Sequence, residues 1–321
     1  MEERTYHFKK TLEKKERFVG GHRLCAGCGA GIAVRGVLRA LKEEDRAVIG
    51  NATGCLEVSS FLYPYTAYED SYIHTAGGVA DHTAFECAGS TMSGVEAAYN
   101  ALKRKGTVQG EVKFITFGGD GGTYDIGFQS LSGAMERGHD LTYVCYDNEA
   151  YMNTGIQRSS STPRFAKATT SPVGTVIPGK TQNKKNLTDI IAAHNVPYVA
   201  QTTFIGNFRD LYTKAKKAIY TPGPSFLNVM SPCPRGWEYP TEKLPEICKL
   251  AVETCVWPLF EVIDGVWHLS YEPKQKRPVE EYLRMQGRFR HMFKPGNEWM
   301  IEAVQQNVDE NWEKLLNRCN Q

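Results

Sequence analysis

The sequence predicts an α/β fold in which a mostly parallel β-sheet is covered by helices on both faces and carries a C-terminal extension. Three observations lead to this prediction. The chain has 321 residues, 41% of them hydrophobic, which suffices for one large domain. Short apolar runs alternate with amphipathic stretches as far as residue 230, which is typical of parallel sheets. The alternation then stops, so we divide the chain into residues 1–235 and an extension, 236–321, packed on the main domain or on a partner subunit.

Hydrophobic periodicity and glycine stops predict the elements in chain order. Helices are predicted over 30–42, 93–103, 125–137, 187–195 and 207–220. Strands are predicted over 47–49, 112–117, 141–146, 198–202 and 225–230. In the extension, Asp264-Gly265 separates two short apolar runs and predicts a hairpin. Two helical stretches, 278–292 and 297–317, are predicted to follow.

Composition disfavours several classes of protein. The formal net charge is +2, so no basic surface is predicted for nucleic acid or for an anionic membrane. No apolar stretch approaches the roughly 18 residues that a membrane span requires. The N-terminus is charged and lacks the apolar core of a secretory signal. We therefore expect a cytoplasmic protein that acts on neither nucleic acid nor a membrane.

Four of the nine cysteines lie in glycine- or proline-rich segments. They are Cys25 and Cys28 of a Cys-Ala-Gly-Cys motif, Cys55 after Asn-Ala-Thr-Gly, and Cys233 between two prolines. A Cys-x-x-Cys pair needs a tight turn to bring both sulfurs together, and glycine permits one. The other five, such as Cys145 in an apolar run, are interpreted as small buried hydrophobic residues. The four are therefore predicted to bind a redox metal centre.

A glycine turn, Gly118-Gly-Asp-Gly-Gly122, directly follows the predicted strand 112–117. Ligands of open α/β sheets bind at this carboxyl edge. The glycine backbone and the start of the next helix can approach a diphosphate closely. Asp120 would repel that diphosphate unless a divalent cation lay between them. The turn therefore predicts a diphosphate held through Mg²⁺.

Further oxygen ligands are expected at the end of the neighbouring strand, where the loop 146–155 begins. Asn148 offers a side-chain oxygen there, and Ala150 offers its main-chain carbonyl. Mg²⁺ prefers a few protein oxygens and keeps phosphate oxygens in its coordination shell. A Gly-Asp-Gly motif by itself is more often an ordinary turn, but its combination with this Asn-rich loop favours a cofactor site.

These motifs resemble those of a known family. Gly119-Asp-Gly followed by Asp147-Asn resembles the diphosphate-binding motif of thiamine diphosphate enzymes. More narrowly, four segments resemble the β subunit of 2-oxoacid:ferredoxin oxidoreductases, with the pyruvate enzymes as the closest match. The segments are 51–57, 119–127, 146–157 and 232–237. The resemblance extends from about residue 20 to residue 237 and implies the thiamine diphosphate-binding fold.

The resemblance also implies roles for individual residues. Asp120, Asn148 and the Ala150 carbonyl would bind Mg²⁺, and Asn153 would be a catalytic polar group beside the reactive ring of thiamine diphosphate. Cys25, Cys28, Cys55 and Cys233 would bind one [4Fe–4S] cluster, for which four thiolates are the usual complement. The residues expected to line the cofactor are Thr53, Gly54, Cys55, Gly119, Asp120, Gly121, Gly122, Thr123, Asn148 and Ala150.

The implied activity is the oxidative decarboxylation of a 2-oxoacid, with pyruvate as first choice, to acyl-coenzyme A and CO₂. Electrons would pass through the cluster to ferredoxin. The expected partners are an α subunit carrying the pyrimidine-binding domain, a γ subunit and a ferredoxin-like δ subunit. Such an assembly would be oxygen-sensitive, because a partly exposed cluster is readily oxidised.

The chain departs from the family pattern between Cys55 and Ser93. A His-Thr-Ala element occurs twice there, at His74 and at His82. Either histidine could match the one that the family carries, so neither is assigned a role.

Several alternatives stay open from the residues. The substrate could instead be 2-oxoisovalerate, 2-oxoglutarate, indolepyruvate or oxalate. The chain could be a non-catalytic iron–sulfur or zinc electron carrier, or a subunit that keeps the fold without the cofactor. It could also be a thiamine-dependent decarboxylase or synthase with no redox role, for which the four cysteines would have no use.

Overall fold

An eight-stranded sheet organises the chain in a computed structural model that describes residues 7–62, 65–74 and 84–320. The strands are β1 (Arg46–Asn51), β2 (Phe61–Leu62), β3 (Tyr65–Thr66), β4 (Ser71–His74), β5 (Val112–Gly119), β6 (Thr142–Asp147), β7 (Tyr198–Thr202), β8 (Ser225–Met230), β9 (Phe260–Ile263) and β10 (Val266–Leu269). All except β2 and β3 belong to this sheet, in the order β10-β9-β7-β8-β6-β5-β1-β4. The short β2 and β3 form a separate antiparallel pair.

The helices are α1 (Phe8–Glu13), α2 (Gly29–Leu38), α3 (Cys55–Ser60), α4 (Ala88–Arg104), α5 (Phe128–Glu136), α6 (Leu187–Ala192), α7 (Arg209–Tyr220), α8 (Pro234–Trp237), α9 (Leu244–Glu253), α10 (Val279–Arg284) and α11 (Glu298–Cys319). A π-helical turn, Gly121–Ile126, leads from β5 towards α5. Three 3₁₀ segments span Gly206–Phe208, Thr241–Lys243 and Gly287–Phe293. No described helix has the length and apolar character needed to cross a bilayer.

The six strands from β7 to β4 run parallel to one another. Their central members β6, β7 and β8 are buried at every residue, as expected for strands covered on both sides. The hairpin β9–β10 adds two antiparallel strands beside β7. Its turn consists of Asp264 and Gly265, both with positive φ, the backbone that a two-residue hairpin turn prefers.

The strand pleat sends alternate side chains to two separate cores. On one face, Ile115 and Phe117 pack with helices α2 and α7. On the other, Tyr143 and Cys145 pack with α4, α5 and α6. This arrangement confirms the predicted fold class, a mostly parallel sheet with helices on both faces.

The predicted elements agree closely with the structure at the centre of the sheet and less well outside it. The strands 198–202 and 225–230 and the hairpin have the predicted bounds. The predicted helix 278–292 is instead α10 followed by a 3₁₀ segment. Strand β4 has no counterpart in the prediction, because four residues beside a glycine-rich stretch give little periodicity.

Candidate active site

Four neighbouring parallel strands, β8, β6, β5 and β1, end at the same edge of the sheet. Each is followed by one of the segments singled out in the sequence. Thr53–Cys55 follows β1, Asp120 follows β5, Asn148 follows β6 and Cys233 follows β8. Parallel pairing therefore brings together residues up to 180 positions apart in the chain, between 53 and 233. This edge is where ligands bind in open α/β sheets.

The glycine turn after β5 keeps its backbone open to this edge. Asp120 is fully buried at its start. A Cβ atom at Gly121 would lie 2.4 Å from the Tyr151 ring, and one at Gly122 would lie 3.0 Å from the carbonyl of Phe85. Glycine is thus required at Gly121 because the ring packs against its backbone. The π-helical turn that follows presents its first backbone N–H groups at the sheet edge.

Three oxygen atoms converge beside Asp120. The terminal oxygen of the Asn148 side chain lies 2.9 Å from Asp120 Oδ1 and 2.9 Å from the Ala150 carbonyl oxygen. All three residues are at most 5% exposed. Because an amide oxygen gains nothing from facing two other acceptors, this contact calls for a rotated amide or for a cation among the three oxygens. The chemistry of this donor set fits Mg²⁺.

The electrostatics of the turn also favour a cation. Burial raises the pKa of Asp120 well above that of an ordinary aspartate, and the nearby charge of Asp147 raises it further. The hydrogen bond from Ser159 and the charge of Lys184 oppose that shift. A divalent cation would replace the proton that Asp120 otherwise tends to hold.

Three consecutive serines hold the carboxylates of the site, and none of these serines was predicted from the sequence. Ser159 Oγ donates to Asp120 Oδ2 at 2.5 Å, and Ser161 Oγ donates to Asp147 Oδ1 at 2.6 Å. Between them, Ser160 donates its backbone N–H to Asp125 Oδ2 at 2.8 Å. A triple serine is an ordinary loop composition, so no signal in the sequence pairs these residues with acids up to 39 positions away.

A small cavity, of about 20 Å³, lies at this edge. It is lined by Thr53, Gly54, Cys55, Phe85, Gly119, Gly121, Gly122, Tyr146, Asn148, Ala150, Tyr151, Met152 and Asn153. Eight of the ten residues expected to line thiamine diphosphate are among them, as is Asn153. Asp120 lies behind the wall. The Thr123 hydroxyl also points away from the cavity, because it donates to the Gly119 carbonyl at 2.7 Å.

Two polar groups of the cavity wall, the side chains of Thr53 and Asn153, could bond a ligand. The Thr53 hydroxyl is buried and makes no hydrogen bond within the described residues. A buried polar atom without a partner is costly, so a ligand that bonded this hydroxyl would recover that cost. Asn153 is exposed at the cavity and is accessible to a bound molecule.

The four cysteines predicted to bind the cluster lie near one another at the same sheet edge. Cys25 and Cys28 belong to one turn, in which the Cys28 N–H donates to the Cys25 carbonyl at 3.1 Å. The next N–H, that of Gly29, donates to the Pro232 carbonyl at 3.1 Å, directly before Cys233. Cys233 Sγ accepts a hydrogen bond from the Gly236 N–H at 3.4 Å. All four thiols are free.

The charges of these thiols are coupled. Burial raises the pKa of Cys28 to about 11, and negative charge on Cys233 or Cys25 would raise it further. Burial also raises the pKa of Cys55, as would charge on Cys28, Cys233, Cys25 and Asp120. Cys55 thus lies near the other three thiols, and it also lines the cavity beside the glycine turn.

Within residues 7–62, 65–74 and 84–320, no three His, Cys, Asp or Glu side chains are arranged around a single metal ion. A four-iron cluster, by contrast, takes each thiolate on a different iron, so its ligands need not meet at one point. The four free thiols, which range from the exposed Cys25 to the buried Cys233, fit that donor set.

Of the two histidines of the repeated His-Thr-Ala element, His74 is the last residue of β4 and its backbone pairs with Asn51 of β1. His74 therefore lies at the same edge of the sheet as Thr53, which follows β1 and lines the cavity. His82 lies outside the described residues.

Comparisons with known proteins identify the domain that carries this site and the family of the chain. Residues 52–229 match the thiamine pyrophosphate enzyme, C-terminal TPP binding domain. The chain is 52% identical to pyruvate synthase subunit PorB of Thermotoga maritima over 95% of this chain and 93% of that protein. It is 50% identical to PorB of Methanocaldococcus jannaschii, over 92% and 95% of the two chains. Ketoisovalerate oxidoreductase subunit VorB of Pyrococcus abyssi is 43% identical, over 95% and 94%.

The fold also occurs in a solved structure, that of 2-oxoglutarate:ferredoxin oxidoreductase from Magnetococcus marinus with 2-oxoglutarate, coenzyme A and succinyl-CoA bound. It aligns with a TM-score of 0.56 over 73% of this chain and 70% of that one, at 22% identity. This likeness concerns the fold, whereas the sequence relatives and the domain match bear on the family. The chain belongs to the thiamine diphosphate-dependent 2-oxoacid:ferredoxin oxidoreductases, as their β subunit.

Proposed function

We propose that this β subunit supports the oxidative decarboxylation of pyruvate with coenzyme A to acetyl-coenzyme A and CO₂, and that the released electron pair leaves through a [4Fe–4S] cluster to ferredoxin. The observation that carries the proposal is the meeting of two donor sets at one sheet edge. Buried oxygens of Asp120, Asn148 and Ala150 lie together, and four free thiols lie near them, of which Cys55 also lines the cavity.

The oxygen set supports Mg²⁺ as the ion. An octahedral Mg²⁺ shell with bonds of about 2.0–2.1 Å places adjacent ligands roughly 2.9 Å apart. The Asn148 oxygen has that separation from both Asp120 Oδ1 and the Ala150 carbonyl, 2.9 Å. With the Asn148 amide oxygen turned towards them, Asp120, Asn148 and the Ala150 carbonyl would hold the ion together with oxygens of the diphosphate.

The glycine turn would bind the diphosphate of thiamine diphosphate through backbone N–H groups, since Gly121 and Gly122 leave no side chain in the way. When bound, thiamine diphosphate supplies the electron sink for decarboxylation. The chain's own contribution is to position it, with Thr53 donating or accepting one hydrogen bond and Asn153 facing the substrate side. The walls formed by Tyr151 and Met152 would limit the access of water.

The thiols of Cys25, Cys28, Cys55 and Cys233 would hold the cluster close to the cofactor, which explains why both sites lie on one chain. The hydrogen bond from the Gly236 N–H to the Cys233 sulfur would stabilise a thiolate ligand. The raised pKa of Cys28 implies that assembly of the cluster releases protons.

The proposed partners follow from what one chain supplies. The domain match covers one thiamine-binding domain, residues 52–229, so we assign the pyrimidine-binding domain to an α subunit. Subunits of γ type and of ferredoxin-like δ type, and then ferredoxin, would carry the electrons onward. The cytoplasm remains the proposed location.

Pyruvate is favoured over 2-oxoisovalerate because several pyruvate synthase subunits are 44–52% identical to this chain, against 43% for a ketoisovalerate subunit. The lowest of these identities to a pyruvate synthase subunit, 44%, is one percentage point above that to the ketoisovalerate subunit, so the assay must compare the two acids directly. The relative rates with pyruvate and 2-oxoisovalerate then decide the substrate.

The test is anaerobic purification of the chain with its partner subunits, followed by thiamine and iron analysis and by 2-oxoacid-dependent viologen reduction. We expect one thiamine diphosphate and about four irons per β chain. Asp120→Asn should lose Mg²⁺-dependent thiamine diphosphate binding and keep its iron. The matched control is Asp125→Asn, an acid of the same turn that bonds Ser160 and does not line the cavity. Full activity of Asp120→Asn, or zinc in place of iron, would contradict the proposal.

A further inference from the structure

A buried ionic network lies directly behind the proposed Mg²⁺ loop. Its acidic members are Asp147 and Glu149, which flank Asn148 and are at most 2% exposed. Lys184 Nζ bridges them, 2.8 Å from Asp147 Oδ2 and 3.0 Å from Glu149 Oε1. The second cation, Arg288, forms an ion pair with Glu149 Oε2, and their side chains are 3% and 1% exposed. One cation of the network, Arg288, therefore belongs to the C-terminal extension, outside the segments that carry the sequence motifs.

The backbone of the loop depends on this pairing. Glu149 has a φ of 65°, in the left-handed region that side chains other than glycine rarely adopt. It lies between Asn148, whose side chain contacts Asp120, and Ala150, whose carbonyl contacts that side chain, so its conformation sets the direction of both groups. A strained residue persists where its surroundings hold it, and here two cations hold its carboxylate from either side.

Arg288 contacts the same loop by a second route. Its guanidinium lies 4.1 Å from the centre of a ring of Trp237, in cation–π geometry. The indole N–H of Trp237 in turn donates to the Asn148 carbonyl at 2.8 Å. The carboxylate of Glu149 and the carbonyl of Asn148 are thus both fixed by a unit that contains Arg288.

Arg288 is itself held firmly. Its Nε donates to Gln286 Oε1 at 2.9 Å, and its carbonyl accepts from the Lys167 N–H at 3.1 Å. At Gly287 a Cβ atom would lie 2.6 Å from Glu238, so the preceding residue also packs too closely for any side chain. The guanidinium therefore projects from a rigid segment, as a positioning group must.

We propose that Arg288 is a positioning residue for the Mg²⁺ and thiamine diphosphate site, and that the extension beyond residue 235 is required to shape that site. The inference deepens the proposed function and rests on it. Arg288 touches neither cofactor nor substrate in this arrangement. It acts through Glu149 and Trp237 on the two oxygens that complete the Asp120 set.

The test replaces Arg288 by Met in the assembled enzyme and measures the Mg²⁺ concentration that gives half-maximal thiamine diphosphate binding. We expect it to rise about tenfold or more, the usual effect of removing a group that orients a metal ligand. At saturating Mg²⁺, kcat should return to within about threefold of the wild-type value, because no reacting group is lost.

A second variant separates positioning from mere loss of a charge pair. In Arg288→Met the Glu149 carboxylate is left with Lys184 as its only cation among the described residues, so adding Glu149→Gln should recover part of the Mg²⁺ affinity. Arg277→Met, in the same extension but bonded to Glu253 and Glu281 at the surface, is the matched control and should leave the Mg²⁺ requirement unchanged.

An unchanged Mg²⁺ requirement in Arg288→Met, whatever its melting temperature, would overturn the inference. If that variant does not fold, Arg288→Lys decides in its place. Lysine keeps the charge but cannot reproduce the fork and the ring stacking of arginine, so the Mg²⁺ requirement should still rise, and an unchanged one overturns the inference. If the wild-type enzyme shows no Mg²⁺-dependent thiamine binding, the proposed function fails instead, which the wild-type measurement reports separately.

Discussion

The contact at Gly29 offers a way to disturb the cysteine site while leaving the cofactor turn intact. A Cβ atom there would lie 2.6 Å from the Ser231 carbonyl carbon and 2.8 Å from the Pro232 nitrogen. Ordinary contact begins at 3.4 Å, so in Gly29→Ala the two segments must separate by about 0.8 Å (3.4 − 2.6). The hydrogen bond from the Gly29 N–H to the Pro232 carbonyl, now 3.1 Å, would then be lost.

The energetic cost follows from these two changes. Overpacking costs about 1–3 kcal/mol, and loss of the hydrogen bond about 0.5–1.5 kcal/mol. The sum, about 1.5–4.5 kcal/mol, leaves a domain of typical stability folded. Because the contact lies between Cys28 and Cys233, their sulfurs should move apart, and we expect iron binding to fall severely.

The assay is iron and thiamine content after anaerobic purification, with denaturant unfolding on the same sample. Gly94→Ala is the matched control, because Gly94 lies inside α4 and its Cβ would meet nothing within 4 Å. Thiamine diphosphate affinity should stay within about twofold in both variants, because neither glycine lines the cavity. Twofold corresponds to a change in binding free energy of about 0.4 kcal/mol. Wild-type iron content in Gly29→Ala would refute the reasoning.

Two further predictions concern the cofactor side. Thr53→Val should keep or slightly raise the free energy of unfolding without cofactor, because it removes a buried hydroxyl that has no partner in the described part of the chain. It should weaken thiamine diphosphate binding about fivefold, or about 1 kcal/mol, measured by calorimetry, and unchanged affinity would remove Thr53 from the site. Mg²⁺ affinity should fall as pH is lowered, by up to about tenfold per unit, because the pKa of Asp120 is raised and the cation must displace its proton. Without Mg²⁺ the sign reverses for stability: the folded Asp120 binds a proton that the unfolded chain releases, so its contribution is lost as pH rises through the raised pKa. Titrations of Mg²⁺ at several pH values check the affinity. Denaturant unfolding without Mg²⁺ over the same pH range checks the stability, and Asp120→Asn should flatten that profile.

The central elements could be predicted because their signals are local. The strands Tyr198–Thr202 and Ser225–Met230 are apolar runs with clear breaks on either side. Strand β4 could not, since its four residues gain their strand conformation from pairing with β1, which no local pattern records. The predicted helix 278–292 ends at Arg284 instead, because Arg288 pairs with the distant Glu149 and with Gln286. This pairing, too, leaves no local pattern in the sequence.

What the amino-acid sequence determined is the set of chemical groups and their local geometry: the glycine turn with Asp120, the Asn148 loop and the cysteine turn, each readable within a dozen residues. The tertiary structure decided which distant groups serve them. Ser159 beside Asp120, the Gly29 contact with Pro232 and the pairing of Arg288 with Glu149 join positions 39 to 203 residues apart. Such pairs depend on strand order and on packing between segments, and a charge or a hydroxyl in a loop carries no mark of the partner it will meet.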